Sequence, residues 1–164
     1  MKKVSGIVRK LDELGRIVVP KEIRRTLNLR EGSDIEIILS DEELILRKFS
    51  RIFNIKSQGE QILESLYEIV QCPCIMTDNE RVILAKGAGK KDMLEQKLTK
   101  EFCDITVAGE YKDIQIISGR NIDGFVAPVF SQGFWCGSIA VLGDVGGKAE
   151  VINFAANYLS GLLV

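Results

Sequence analysis

The sequence predicts an α+β fold in two parts: a small basic N-terminal part rich in short strands, and a larger C-terminal part that combines helices and strands. Three observations support this division. Basic residues are concentrated before residue 31, alternating polar and apolar runs continue to residue 48, and from residue 57 the apolar spacing changes between the helical and the strand period. A length of 164 residues fits one large or two small domains. We expect domains at residues 1–50 and 57–164, with a linker at residues 51–56.

The composition is that of an ordinary soluble globular protein, with 46% hydrophobic residues, 27% charged residues and a net charge of −1. No apolar run is long enough to cross a bilayer, and no apolar signal segment follows Met1, so we expect a cytoplasmic protein without a membrane partner. The charges are segregated, because residues 9–30 are rich in Lys and Arg whereas residues 31–43 carry only acidic charges. The small net charge therefore does not exclude a nucleic-acid partner.

The first element expected is a hairpin. Residues 7–11 and 16–19 are β-rich, and the sequence Asp-Glu-Leu-Gly at residues 12–15 supplies the turn between them. Gly15 can adopt the positive φ that a reversal of the chain requires. The two runs should therefore pair as short strands.

A short helix is expected next, over residues 20–27. Pro20 suits its start, because the φ of proline is already helical and its missing N–H would be unpaired there. Ile23 and Leu27 are four residues apart and would share the buried face. A helix this short is not stable alone, so it must pack against the strands.

A second hairpin is expected between residues 33–39 and 43–48, which alternate polar and apolar side chains around a turn at residues 40–42. Two hairpins and one short helix within about fifty residues bury a small fraction of their surface. We therefore expect this part to be an obligate dimer.

The larger part begins with a helix. Ser57 and Glu60 have the spacing of a capping box, and the apolar residues that follow recur at helical spacing until Pro73 ends the helix. Asp92 with Glu95 has the same capping pattern and predicts another helix through the next apolar residues.

Five strands and a final helix are predicted from alternating apolar residues bounded by turn residues. They are strands at residues 74–77, 82–85, 113–118, 124–130 and 134–142, and a helix at residues 148–163. Tight turns at residues 78–80 and 131–133 would join the first two and the last two strands as hairpins. The order of these elements predicts an α+β domain.

The N-terminal residues resemble a known family. Residues 6–10 (GIVRK), 12–20 (DELGRIVVP) and 22–27 (EIRRTL) are similar to the AbrB family of bacterial transition-state regulators. The resemblance implies a swapped-hairpin AbrB-like β-barrel formed by a dimer, which docks on DNA. It also implies that DNA is contacted by basic side chains at Arg9, Lys10, Arg16, Lys21, Arg24 and Arg25.

The chemistry of arginine agrees with this implication. Its planar guanidinium can pair bidentately with a phosphate or with the O6 and N7 atoms of guanine, and a two-fold dimer doubles each contact. The resemblance implies a loosely defined, AT-rich double-stranded target that is read partly through its deformability. The alternative is that these are solvated surface charges paired with Asp12, Glu13 and Glu22.

The order of elements in the larger part is similar to that of regulators in spore-forming bacteria that carry a GAF-like α/β sensory domain behind an AbrB-like half. That resemblance implies a tetramer of two dimers joined through C-terminal helices, and a small-molecule ligand between the sheet and its helices. The candidate ligand-binding residues are Cys74, Met76, Gly87, Gly89 and Asp92. The alternative is a filled core without a ligand, and the short stretch at residues 102–123 favours it.

No catalytic or metal-binding pattern is present. The chain has four cysteines and no histidine, and the cysteine spacing is not that of a zinc site, so we expect buried reduced thiols and no cofactor. The glycine-rich Gly87-Ala88-Gly89-Lys90 lacks the spacing of a phosphate-binding loop. The resemblance to the AbrB family implies a DNA-binding transcriptional regulator of sporulation or transition-state genes, and the absence of a catalytic pattern agrees with a protein that is not an enzyme. An antitoxin with the same swapped-hairpin fold, or a thiol-dependent enzyme using Cys72 or Cys74, are the alternatives.

Overall fold

The computed structural model describes residues 6–27, 29, 31 and 33–163. The chain forms two compact units that divide between Phe49 and Ser50. We call them the N-terminal unit and the C-terminal unit. Among the described residues, no helix is long and apolar enough to span a membrane.

The N-terminal unit contains one short helix and one hairpin. Helix α1 spans Lys21–Thr26, and strands β1 (Ile35–Ser40) and β2 (Glu43–Lys48) pair antiparallel. The register runs from Ile35 opposite Lys48 to Ser40 opposite Glu43, and Asp41 takes a φ of 49° in the turn. The second predicted hairpin is confirmed.

The first predicted hairpin is only partly formed. Its turn is present at residues 12–15, but residues 7–11 and 16–19 form no strand within the single chain. Likewise Ile23 is half-buried and Leu27 is exposed, so the buried face expected for α1 is not formed. A strand forms only with a partner, and the described part of one chain offers no strand to these residues.

The C-terminal unit is built on a five-stranded antiparallel sheet. Its strands are β3 (Cys74–Thr77), β4 (Val82–Lys86), β5 (Gly109–Ile117), β6 (Arg120–Ser131) and β7 (Phe134–Leu142), in the order β4-β3-β7-β6-β5. Gln132 and Gly133 have φ values of 51° and 80° between β6 and β7, as a type I′ turn requires. The five strands expected from the sequence are present, and β5 and β6 extend further than predicted because they pair over nearly their whole length.

Helices cover both faces of this sheet. On one face α2 (Lys56–Val70) and α5 (Ala149–Leu162) pack over the larger hydrophobic cluster, to which they contribute Leu66 and Leu159. On the other face, the short helices α3 (Lys90–Met93) and α4 (Lys100–Cys103) insert Met93 and Phe102 into a second cluster. The alternation of side chains along β3 supplies both clusters, since Ile75 belongs to the second and Met76 to the first.

The segment expected as a linker at residues 51–56 is structured. Arg51–Ile55 form a 3-10 helix that runs directly into α2, with Ile52 and Ile55 buried in the larger cluster. Because this 3-10 helix precedes α2, the expected capping box of Ser57 is absent and Ile55 takes the N-cap position without a side-chain hydrogen bond. The segment is therefore part of the fold of the C-terminal unit.

The helix expected from Asp92 is also different. Helix α3 ends at Met93, and Glu95 takes a φ of 62°. The chain leaves the helix because the edge of β4 binds it: Glu95 N donates to Val82 O at 2.9 Å, and Val82 N donates to Gln96 O at 3.1 Å. A separate helix, α4, starts at a cap that the sequence analysis missed, where Thr99 accepts a hydrogen bond from the N–H of Phe102.

Candidate nucleic-acid interface

A tight loop organises the basic N-terminal residues. The N–H of Asp12 donates to Arg16 O at 3.1 Å, and the N–H of Gly15 donates to Asp12 O at 3.0 Å. Gly15 has a φ of 74°, which a residue with a side chain rarely adopts. These bonds define a three-residue hairpin loop closed by Asp12 and Arg16. Arg16 is therefore the first residue after the reversal.

The carboxylate of Asp12 fixes this loop and its arginine together. Its Oδ1 accepts hydrogen bonds from the N–H groups of Leu14 (3.0 Å) and Arg16 (2.7 Å), and its Oδ2 accepts from Arg16 Nε at 2.7 Å. The bond from the backbone N–H of Arg16, followed by that from its guanidinium, lowers the pKa of Asp12 below its ordinary value. The turn, the carboxylate and the arginine side chain therefore form one charged unit.

The other basic residues lie on the segments that flank the loop and on α1. The six basic residues expected to contact DNA are all exposed: Arg9, Lys10, Arg16, Lys21, Arg24 and Arg25. Helix α1 carries three of them, and Leu29 N donates to Arg24 O at 2.7 Å just beyond its end. Between described residues in the range 6–27, Asp12–Arg16 is the one ion pair, so pairing with acidic neighbours accounts for one of these six side chains.

The same unit leaves its large apolar side chains exposed. Among its described residues Pro20 alone is buried. The large apolar residues that are exposed are Ile7, Val8, Leu11, Leu14, Ile17, Val18, Leu27, Ile35, Ile37, Leu39, Leu44, Ile45 and Leu46. Val8 is 89% exposed and Leu39 is 78% exposed. So many exposed aliphatic side chains in one small unit are unusual for a folded protein that is stable as a monomer. One copy of this unit therefore lacks an interior.

The five residues expected to bind a small molecule have different surroundings, and none of them lines the cavity described below. Cys74 and Met76 are fully buried, and Met76 packs so closely on α2 that a Cβ at Gly59 would lie 2.4 Å from its Sδ. Gly87 lies against Tyr67, where a Cβ would approach the ring to 2.8 Å. Gly89 occupies the N-cap of α3, and Asp92 is exposed on that helix. Packing and backbone geometry account for four of these five residues.

A cavity of about 480 Å³ lies beside them in the C-terminal unit. It is lined by Pro73, Ala88, Asp113, Asn121, Ile122, Asp123, Leu142 and Gly143. The N–H of Asp113 donates to Asp123 Oδ1 at 2.8 Å, and Asn121 Nδ2 donates to Asp113 Oδ1 at 2.6 Å. The polar residues of this cavity are not predictable from the sequence, because they come from two strands whose register the sequence does not reveal.

The four cysteines are free thiols, but only Cys74 is buried as expected, because Cys72, Cys103 and Cys136 remain half-buried. Burial, with a smaller contribution from Cys72, raises the pKa of Cys74 to about 12, so its thiol is protonated at neutral pH. Its Sγ donates to the carbonyl of Cys72 at 3.2 Å. Cys72 Sγ donates in turn to Asp144 O at 3.3 Å. Among the described residues, no group of three or more His, Cys, Asp or Glu side chains is placed to hold a metal ion.

The chain is similar to one known protein over nearly its whole length and to others over its N-terminal part alone. The family described as "Antidote-toxin recognition MazE, bacterial antitoxin" matches residues 8–52. Stage V sporulation protein T of Bacillus subtilis (strain 168) is 31% identical over 171 aligned positions, which cover 98% of this chain and 96% of that protein. Transition state regulatory protein AbrB of the same organism is 48% identical over 58 positions, or 35% of this chain and 60% of AbrB. The protein named "Putative transition state regulator Abh", from the same organism, is 47% identical over 47 positions, or 29% of this chain and 51% of Abh.

Proposed function

Since this chain belongs to the family of stage V sporulation protein T, which it matches over nearly its whole length, we propose that it is a transcriptional regulator that binds double-stranded DNA through its N-terminal unit. AbrB, which shares the N-terminal part, is a transition state regulatory protein by name. Genes of sporulation or of the transition state are therefore its proposed targets.

One observation carries the DNA-binding proposal: six basic side chains are exposed on the unit that these regulators share. Five of them have no carboxylate partner among the described residues. Arginine and lysine side chains in this state can neutralise phosphates, and arginine can also read a guanine edge. The N-terminal unit therefore supplies the electrostatic contact with DNA.

A second copy of the chain completes the unit in this proposal. The exposed aliphatic side chains need a partner of the same kind, and residues 7–11 and 16–19 need a strand partner. A swapped-hairpin dimer meets both requirements, because each chain lends its first hairpin to the barrel of the other. The dimer also presents each basic residue twice, on the two sides of a two-fold axis. Two such dimers would form a tetramer through their C-terminal helices, where Phe154 and Tyr158 are exposed on α5.

The proposed target is an AT-rich, loosely defined duplex, read through phosphate contacts and the ease with which its groove deforms. The protein would act in the cytoplasm on the nucleoid. We assign its C-terminal unit, a five-stranded sheet with helices on both faces, to the GAF-like sensory domains. A small molecule would then bind in the cavity beside Asp113 and Asp123.

Fluorescence anisotropy across a salt series tests the DNA proposal. Full-length protein is titrated onto AT-rich and scrambled duplexes as wild type, Arg16→Ala/Arg24→Ala, and Arg47→Ala as a matched control. Arg47 belongs to the same unit but lies in β2, paired with Glu36. The double variant should flatten the slope of log K against log salt by about 0.9 for each phosphate contact it removes, and the control should keep the wild-type slope.

Light scattering shows whether each variant keeps the oligomeric state of the wild type, which excludes a folding defect. Equal slopes for the wild type and the double variant would contradict the proposed arginine contacts. Absence of binding at low salt would refute DNA binding altogether.

An antitoxin is the second candidate function, because the family that matches residues 8–52 is described as a bacterial antitoxin that recognises a toxin. A segment that wraps a toxin must be free to do so. In this chain the residues that follow the N-terminal unit form a sheet with helices on both faces. This folded arrangement, together with the similarity to stage V sporulation protein T over nearly the whole chain, favours the regulator over the antitoxin.

A further inference from the structure

We propose that Asp12 is a positioning residue for Arg16: its carboxylate takes the Nε edge of the guanidinium, so that the edge formed by Nη1 and Nη2 is the one that meets DNA. This inference rests on the proposed DNA-binding function and specifies how one arginine of the N-terminal unit is presented.

The loop holds the carboxylate in one orientation. Its Oδ1 is engaged by two backbone N–H groups, those of Leu14 at 3.0 Å and Arg16 at 2.7 Å. Its Oδ2 is thereby directed at Arg16 Nε, at 2.7 Å. The guanidinium is tied to the backbone frame of the turn through one rigid acceptor, while the Arg16 side chain stays 71% exposed.

The free edge has the geometry that DNA requires. A guanidinium has two edges that can each donate two parallel hydrogen bonds, one that includes Nε and one formed by Nη1 and Nη2. With Nε bound to Asp12, the terminal edge is the bidentate donor that remains, and no described residue accepts a hydrogen bond from it. It fits two phosphate oxygens or the O6 and N7 atoms of guanine. An arginine held this way loses less side-chain freedom on binding than an unrestrained one.

Asp12 also brings a negative charge close to the DNA, and this charge weakens binding, whereas the positioning of Arg16 strengthens it. The neighbouring residue separates the two effects. Glu13 lies in the same loop, is exposed, and forms no ion pair with a described residue, so Glu13→Gln removes the same charge without releasing an arginine. Asp12→Asn is the matching change, because the amide oxygen of asparagine can still accept from Leu14 and Arg16 N–H while the charge pairing with Nε is lost.

The experiment measures the Kd of full-length wild type, Asp12→Asn and Glu13→Gln for one AT-rich duplex by fluorescence anisotropy. Each of the three proteins is measured with Arg16 intact and again with the additional substitution Arg16→Ala. We expect Glu13→Gln to bind as tightly as wild type or more tightly. We expect Asp12→Asn to bind about two- to tenfold more weakly than Glu13→Gln, the cost of ordering a side chain that is no longer restrained. In the Arg16→Ala background the two variants should bind equally. The ¹⁵N signal of Arg16 Nε–Hε in the free protein should shift in Asp12→Asn and stay in place in Glu13→Gln.

Three results would overturn the proposal: the same change of Kd for both variants, a difference between them that persists in Arg16→Ala, or an unchanged Nε signal in Asp12→Asn. Failure of the proposed function has a different signature, because the wild type itself would then bind no duplex, or Arg16→Ala would bind as the wild type does.

Discussion

Replacement of Ile52 by alanine tests whether the segment after Phe49 is part of the C-terminal unit. Ile52 is fully buried, and its Cδ1 would lie 2.9 Å from a Cβ placed at Gly137, so it fills the space above a glycine of β7. Large-to-small changes of this kind cost about 2 to 5 kcal/mol, more where the cavity cannot collapse. The 3-10 helix and the paired strand restrict collapse, so we expect a loss of about 3 to 4 kcal/mol.

Phe53→Ala is the matched control. Phe53 is the next residue of the same 3-10 helix, is 53% exposed, and has Lys56 Nζ 5.3 Å from its ring centroid. Loss of this exposed contact should cost no more than about 1 kcal/mol. The two variants therefore change adjacent residues of one element with very different expected costs.

Urea unfolding followed by the fluorescence of Trp135, the one tryptophan of the chain, measures both variants at equal protein concentration. With a urea dependence of about 2 kcal/mol/M, Ile52→Ala should lower the midpoint by about 1.5 to 2 M and Phe53→Ala by about 0.5 M at most. Equal small shifts for the two variants would refute the reasoning, since a linker would respond to both alike.

Two further predictions concern the C-terminal unit. Gly137→Ala should destabilise the C-terminal unit by more than about 3 kcal/mol, because the new Cβ would lie 2.0 Å from the backbone O of Thr77. Gly161→Ala is the matched control: its Cβ would meet no atom within 4 Å, so it should raise the stability by up to about 1 kcal/mol. Thermal unfolding compares the two variants, and an equal effect of both would contradict the packing. Cys74 should be the slowest of the four thiols to react with a disulfide reagent at pH 8, because burial raises its pKa to about 12. The same shift makes stability depend on pH: the contribution of the buried neutral thiol is full below pH 9.0, where the unfolded thiol is also protonated, and is lost as the pH rises from 9.0 towards 12. Urea midpoints from pH 8 to pH 11 should fall more steeply for the wild type than for Cys74→Ala.

Local patterns made the hairpins predictable. The β3–β4 and β6–β7 pairs and the β1–β2 pair each combine alternating side chains with turn residues close in sequence, so the signal and the contact are local. Distant contacts overturned the other expectations. Ile52 is buried against β7, far along the chain, and the backbone of Val82 draws Glu95 and Gln96 out of the expected helix. A capping pattern carries no information about such partners.

The candidate interface shows the same division. The basic residues were named through a resemblance, and the structure finds them exposed. The sequence could not tell Asp12 from Glu13 as the partner of Arg16, because that choice depends on how Gly15 closes the loop. Asp113 and Asp123 become neighbours only through the irregular register of β5 with β6, which follows from packing and not from either residue type.

The exposed aliphatic residues of the N-terminal unit have a consequence for gene dosage. A unit that buries almost nothing alone must draw its ordering free energy from association, so its folded population depends on the concentration of the chain. In the proposed dimer, the concentration of folded dimer rises with the square of the total chain concentration while subunits are scarce. Regulation would then respond to the amount of protein as a threshold, and a modest change in synthesis or degradation would switch DNA occupancy more sharply than a monomeric binder could.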